Sequence, residues 1–123
     1  NIRVLRLSEM YLTAAEACAE KPALEDSAMY YISKLRRARI KDAENITDRG
    51  AILRNIIQEE RRRELAFEGH RLFDIIRRGN DVTRKDVISG APVSKNWGDN
   101  KLIMPIPQRE MDANKNMVQN PGY

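Results

Sequence analysis

Residues Glu59–Gly79 read EERRRELAFEGHRLFDIIRRG, and the reading of this stretch decides the fold. Projected at about 100° per residue, Leu53, Ile57 and Phe67 share one line of a helix, with Ile56 beside it. Glu60 and Glu64 land in the middle of the same line. The helix therefore places two carboxylates where its core stripe should run. Three chemistries put them there: a metal site, a general acid–base pair, or an ion-pair network between helices.

The first two lack their partners. Dimetal carboxylate sites on helices use Glu-x-x-His, which brings both side chains to one face. Here Glu68 and His70 have Glu-x-His spacing, which splays them apart. Acid–base work by Glu60 and Glu64 needs a cleft that splits their pKa values, and the sequence supplies neither nucleophile nor substrate pocket. The network has its partners at hand, because five acids face six arginines within the stretch. Glu59–Arg63, Glu60–Arg63, Glu68–Arg71 and Asp74–Arg78 sit at i,i+3 or i,i+4 with the acid first, the favourable order. Arginine suits partly buried carboxylates, since its planar fork satisfies two oxygens at once. The sequence thus predicts a structural ion-pair network of Glu60, Arg63, Glu64, Glu68, Arg71, Asp74 and Arg78. It predicts no catalytic residue, no metal ligand and no cofactor. On this reading Glu64→Ala strands a buried arginine and costs about 3–5 kcal/mol. His70, at the bend after Gly69, reads as a capping or packing histidine.

Working outward, Val4, Leu7, Tyr11, Ala14 and Cys18 form a narrow apolar stripe and predict a helix over 3–20. Ala14, Ala15 and Ala17 leave room for a close neighbour. Cys18, the only cysteine, reads as a small buried hydrophobe and excludes an intrachain disulfide. Lys21-Pro22 breaks the pattern. Leu24, Ala28, Tyr31, Leu35 and Ala38 then predict a helix over 24–40, packed on the first as an antiparallel hairpin. The run Lys34–Arg39 ends it, where solvated cations suit the macrodipole. Thr47 or Asp48 is the expected N-cap of a third helix over 49–68. Asn45-Ile46-Thr47 matches a glycosylation sequon too short to carry weight. A fourth helix over 71–78 ends at Gly79-Asn80. Residues 80–101 read as a polar loop holding Trp97. Residues 102–123 read as an extended strap, locked by Pro105 and Pro107, with one last turn starting at Pro107–Glu110. The fold class is all-α: a tetratricopeptide-like helical hairpin plus further helices, one helical unit over 1–123, with an irregular C-terminal strap.

Bulk composition narrows the function. The 123 residues hold 22 basic against 18 acidic side chains, a net charge of +4, with 33% charged. Most cations have an acid nearby, which argues against a nucleic-acid surface. No run approaches the roughly 20 apolar residues of a membrane span, and no signal-peptide pattern is present. A chain opening at Asn1 in a helical pattern reads as a piece of something longer.

Four stretches carry a resemblance: RLSEMYLTAAEA (6–17), SKLRRAR (33–39), ERRRELAFEGHRLFDIIRRG (60–79) and PIPQREMDANKNMVQNPGY (105–123). In order and spacing they resemble the C-terminal portion of the SusD/RagB family of outer-membrane glycan-capture lipoproteins. One departure follows SKLRRAR, where many members turn with a glycine. Here the chain continues Ile40-Lys41-Asp42-Ala43, which lengthens helix two or alters its exit.

The resemblance implies a non-catalytic binding protein with tetratricopeptide-like helix pairs as scaffold. It implies a lipid anchor on an N-terminal cysteine outside this chain, which Cys18 does not match, and an outward-facing place at the cell outer membrane. The implied partners are an oligosaccharide, a SusC-like TonB-dependent transporter and the remainder of the protein's own longer chain. It makes the quoted signature part of the scaffold and puts the glycan platform largely upstream. Within this chain, 6% aromatic, Trp97 with Asn96, Asp99 and Asn100 is the candidate glycan contact, set against a tryptophan that pins its loop onto the helices. The alternative function is a tetratricopeptide-like protein–protein interaction module.

Overall fold

The structure, a computed structural model, describes residues 6–84, 90 and 93–123. Val4 of the expected first stripe lies outside the described residues. Helix α1 runs Leu7–Ala19 and buries Ser8, Leu12, Ala15 and Ala19. The expected stripe of Leu7, Tyr11, Ala14 and Cys18 is thus turned by one residue, and Leu7 is 72% exposed. LSEMYLTAAEACA is apolar on most sides, so periodicity leaves its facing open. Packing settles it, because Ala15 and Ala19 present less bulk to a neighbouring helix than Tyr11 does.

Pro22–Leu24 makes a single 3-10 turn with Pro22 at its first position, where the missing N–H costs nothing. Helix α2, Glu25–Arg39, follows directly and packs on α1 as a helical hairpin. It buries Glu25, Ala28, Ile32, Ser33 and Leu35, while Leu24 and Ala38 of the expected stripe are exposed. The helix stops at Arg39 and is not lengthened. Asp42 takes the left-handed conformation at φ 57°, which aspartate tolerates better than most residues. It turns the chain past the helix without a glycine. The connection is then pinned when the Ile46 N–H donates to Ser33 Oγ at 2.9 Å.

Helix α3 spans Gly50–Glu64. Neither Thr47 nor Asp48 caps it. Glu25 does so from α2, its Oε1 accepting the Gly50 N–H at 2.8 Å, so one orphan donor of the helix start finds a partner distant in sequence. The helix also ends earlier than periodicity suggests. Leu65 is buried beyond its last residue, and Phe67 stands fully exposed at φ 65°. Phe67 therefore leaves the line it shares with Leu53 and Ile57 in projection. Leu12, Ala15, Ala19, Ala28, Ile32, Leu35, Leu53, Ile57 and Leu65 form the core, with Cys18, Met29, Tyr31, Ile46 and Ile56 packed around it.

The chain divides into two compact units, Asn1–Gly69 and His70–Tyr123, where the sequence reads as one. The second unit opens with α4, Arg71–Arg77. Residues expected as loop contain a short antiparallel hairpin, β1 (Val82–Arg84) with β2 (Val93–Lys95), pairing Val82 with Lys95 and Arg84 with Val93. A 3-10 turn at Asn100–Leu102 follows, with Asp99 Oδ1 accepting the Lys101 N–H at 2.8 Å. The expected last turn is a helix, α5, Gln108–Ala113. The chain is mostly helical, with this two-stranded sheet among the described residues.

Candidate functional site

The two carboxylates that interrupt the α3 stripe are buried, Glu60 and Glu64 each with a side chain 7% exposed. Their partners come mainly from other helices. Arg39, at the end of α2, forks onto Glu64, with Nε to Oε2 and Nη2 to Oε1 both at 2.9 Å. Arg6, just before α1, bonds Glu64 and Glu68 and reaches the Glu64 carbonyl at 3.2 Å. Ser8 Oγ accepts from the same guanidinium. Hydrogen bonds from the Arg39 guanidinium hold the Glu64 carboxyl below its ordinary range, against the opposing effect of burial. Charge-assisted bidentate pairing of this kind favours the ionised form.

Around Glu60 the contacts are longer. Arg36 from α2 and Arg63 from α3 each lie 3.8 Å from its Oε2. The Arg36 Nε is buried without a hydrogen-bond partner. Arg61 turns to Glu9 of α1 at 3.8 Å, and Arg54 reaches the Ala19 carbonyl at 3.4 Å, where a cation suits the end of α1. Glu59 pairs with Arg62 at 2.9 Å and Asp74 with Arg77 at 3.0 Å. Glu68, expected to pair forward with Arg71, is bonded by Arg6.

The cluster is therefore a clasp across three helices. Sequence reasoning named its acids and missed Arg6, Ser8, Arg36 and Arg39. Arg36 and Arg39 were read as solvated cations of a helix end, and only the basic run SKLRRAR hinted at more. Both carboxylate oxygens of Glu64 are engaged by arginine. His70 lies at the N-cap of α4 without a capping side-chain bond. Among the described residues no group of His, Cys, Asp and Glu is arranged to hold a metal, and no helix is long and apolar enough to cross a membrane.

Trp97 sits in the second unit and is 58% exposed. Its Nε1–H donates to the Ile76 carbonyl at 2.9 Å, and its backbone N–H donates to Asp81 Oδ1 at 2.7 Å. The indole thus ties its loop to the end of α4 and leaves more than half its surface to solvent. Nearby, the Lys101 N–H holds the Asp99 carboxyl below its ordinary range, so that carboxylate already serves the turn.

Two open grooves lie on the first unit. One of about 310 Å³ runs over Ile52, Ile56, Arg36, Glu59 and Arg63. The other, about 260 Å³, lies between α1 and α2, with Leu7, Tyr11, Leu35 and Ala38 as walls and Lys34 and Arg39 at its rim.

A helical hairpin clasped to a third helix by buried ion pairs, with a hydrogen-bonded C-terminal unit, defines a tetratricopeptide-like scaffold. The SusD family model matches residues 1–123, and the chain belongs to that family. It is 38% identical over 135 residues to SusD-like protein P2 of Formosa agariphila, covering 100% of this chain and 26% of that protein. It is 31% identical over 128 residues to the starch-binding protein SusD of Bacteroides thetaiotaomicron, covering 100% of this chain and 22% of that protein. The crystal structure of a SusD superfamily protein from Bacteroides vulgatus superposes with a TM-score of 0.81 at 34% identity, over 98% of this chain and 27% of that one. The chain spans about a quarter of the length of the curated relatives it matches.

Proposed function

We propose that this chain is the C-terminal scaffold of a non-catalytic oligosaccharide-binding protein. The protein stands at the cell outer membrane, lipid-anchored through a segment outside these residues, and delivers glycan to a SusC-like TonB-dependent transporter. Family membership supports the glycan. The observation that carries the scaffold role is the clasp: Glu60 and Glu64 hold arginines of neighbouring helices, so the densest cluster of reactive groups serves packing. The structural network of Glu60, Arg63, Glu64, Glu68, Arg71, Asp74 and Arg78 is proposed in that sense. Trp97 keeps its place as the proposed glycan contact, because its exposed face remains open while its N–H is engaged.

The test is calorimetry of the whole protein against neutral oligosaccharides of plant, host and microbial origin, with affinity capture from outer-membrane extracts. Expected are binding of at least one oligosaccharide and co-purification of a TonB-dependent transporter. Silence against every sugar, together with no transporter in the capture, sinks the proposal.

A further inference from the structure

The groove between α1 and α2 carries a cation that the clasp does not use. Arg6, Arg36, Arg39 and Arg49 all face carboxylates. Lys34 is held by phenols: its Nζ lies 3.3 Å from the Tyr30 hydroxyl and 5.5 Å from the ring centroids of both Tyr11 and Tyr30. Among the described residues no carboxylate lies within ion-pair reach of it. The ammonium beside this groove is therefore open to an anion from elsewhere.

The surroundings fix what kind of anion. Tyr11 and Tyr30 both stack edge-on against Tyr31, with centroids 5.9 Å and 5.4 Å away, so the aromatic group is rigid. Tyr11, Leu7, Leu35 and Ala38 give the groove apolar walls. Its volume of about 260 Å³ falls just short of the roughly 300 Å³ at which pockets for drug-sized ligands begin, which fits one ring rather than a chain. An apolar wall beside a cation suits a ligand with a hydrophobic ring face and an acid on its edge.

We propose that this groove is a subsite for one uronic-acid ring of an oligosaccharide, its carboxylate on Lys34 and its apolar face against Tyr11. The inference rests on the oligosaccharide-binding reading above. The exposed ammonium, screened by salt, favours the acid over its neutral ester by about tenfold.

The test compares a galacturonic-acid trisaccharide, its methyl ester and a neutral glucose trisaccharide by calorimetry on the whole protein. Expected is a tenfold preference of the wild type for the acid over the ester, shrinking as salt rises. Lys34→Gln removes that preference and Lys34→Arg keeps it. Ala38→Glu, at an exposed position, puts a like charge into the groove and abolishes acid binding. Equal affinity for acid and ester, a preference that survives Lys34→Gln, or an equal loss of both ligands in that variant overturns the subsite. Binding of the neutral trisaccharide without any acid preference leaves the general glycan reading standing, whereas binding of no sugar removes both.

Discussion

From Leu12 to Leu65 nine apolar side chains are buried, and the acids among them are matched by arginine across helices. Among the described residues from His70 onward none is buried. What orders that second unit is a set of side-chain bonds to the backbone. Gln119 both accepts from the Ile106 N–H at 2.8 Å and donates to the Ile106 carbonyl at 2.9 Å. Asn120 donates to the Met104 carbonyl at 2.7 Å, and Tyr123 to that of Ile103 at 2.8 Å. Pro105 and Pro107 bring no N–H, so Ile106 is the one residue between them with both backbone groups to satisfy. The first unit is thus governed by volume excluded from water, the second by amides that replace strand partners. Substitutions of equal size should have unequal consequences in the two.

The largest effect is expected in the first core. Leu53 is fully buried, and Leu53→Ala should cost about 3 kcal/mol, inside the range of about 2–5 for such truncations. Far-UV circular dichroism in urea measures it. Ile106→Ala, at a half-buried position, should cost under about 1.5 kcal/mol by comparison. An equal cost at both positions would break the contrast.

Glu64 comes next. The sequence alone points to about 3–5 kcal/mol for Glu64→Ala through a stranded buried arginine. Yet the Arg6 and Arg39 side chains are 34% and 49% exposed, so both cations regain water when the acid is lost. The expected cost falls to about 1–3 kcal/mol. Its pH dependence follows from the lowered pKa. The ion pairs contribute fully above the unfolded-state value near 4.5 and lose that contribution as pH falls through the folded value below it. Glu64→Gln should therefore be destabilised at pH 7 and close on the wild type in acid. A constant gap from pH 7 to pH 3 would show that shape, not charge, matters there.

In the second unit the sharper cut is Gln119→Ala, which deprives Ile106 of two bonds. At about 0.5–1.5 kcal/mol per bond, a loss of about 1–3 kcal/mol is expected. Trp97, the sole tryptophan, lies in that unit and reports its unfolding. Hydrogen exchange at the Ile106 amide should accelerate. If Gln119→Ala leaves both signals unchanged, the amide clamp is not what orders the strap.

The same contrast explains what could be read from sequence. Glu60 and Glu64 announced themselves, because a carboxylate on a core stripe breaks a 3.6-residue pattern that local spacing reveals. Their partners did not. Arg39 lies 25 residues from Glu64 and Arg6 lies 58 away, so only tertiary packing brings them together. The i,i+3 arithmetic supplied Arg71 for Glu68, whereas Arg6, 62 residues away, bonds it across the fold. Helix α1 shows the converse: its existence was plain, but its facing depended on which neighbour it met. In the second unit Gln119 and Asn120 carry no periodic signal, since one amide replacing a strand partner obeys no spacing rule. The hairpin of β1 and β2 is too short to show alternation.

Gly79 offers the smallest and cleanest test. It sits at φ 71° just past α4, its N–H bonded to the Ile76 carbonyl at 3.0 Å and that of Asn80 to Ile75 at 3.2 Å. This paired pattern is a Schellman turn, which needs a left-handed residue at its second-last position. A Cβ placed there would meet only Trp97 Cε2, at an ordinary contact of 3.9 Å. Gly79→Ala therefore brings no clash, and its cost is the backbone conformation alone, about 1 kcal/mol. Gly79→Asn should cost less, because asparagine visits that region more readily. The tryptophan emission midpoint in urea reads both. A cost well above this for alanine would mean that the indole sits tighter on the turn than its 58% exposure implies. The second unit would then hold a packed nucleus around Trp97, and the contrast between the two units would narrow.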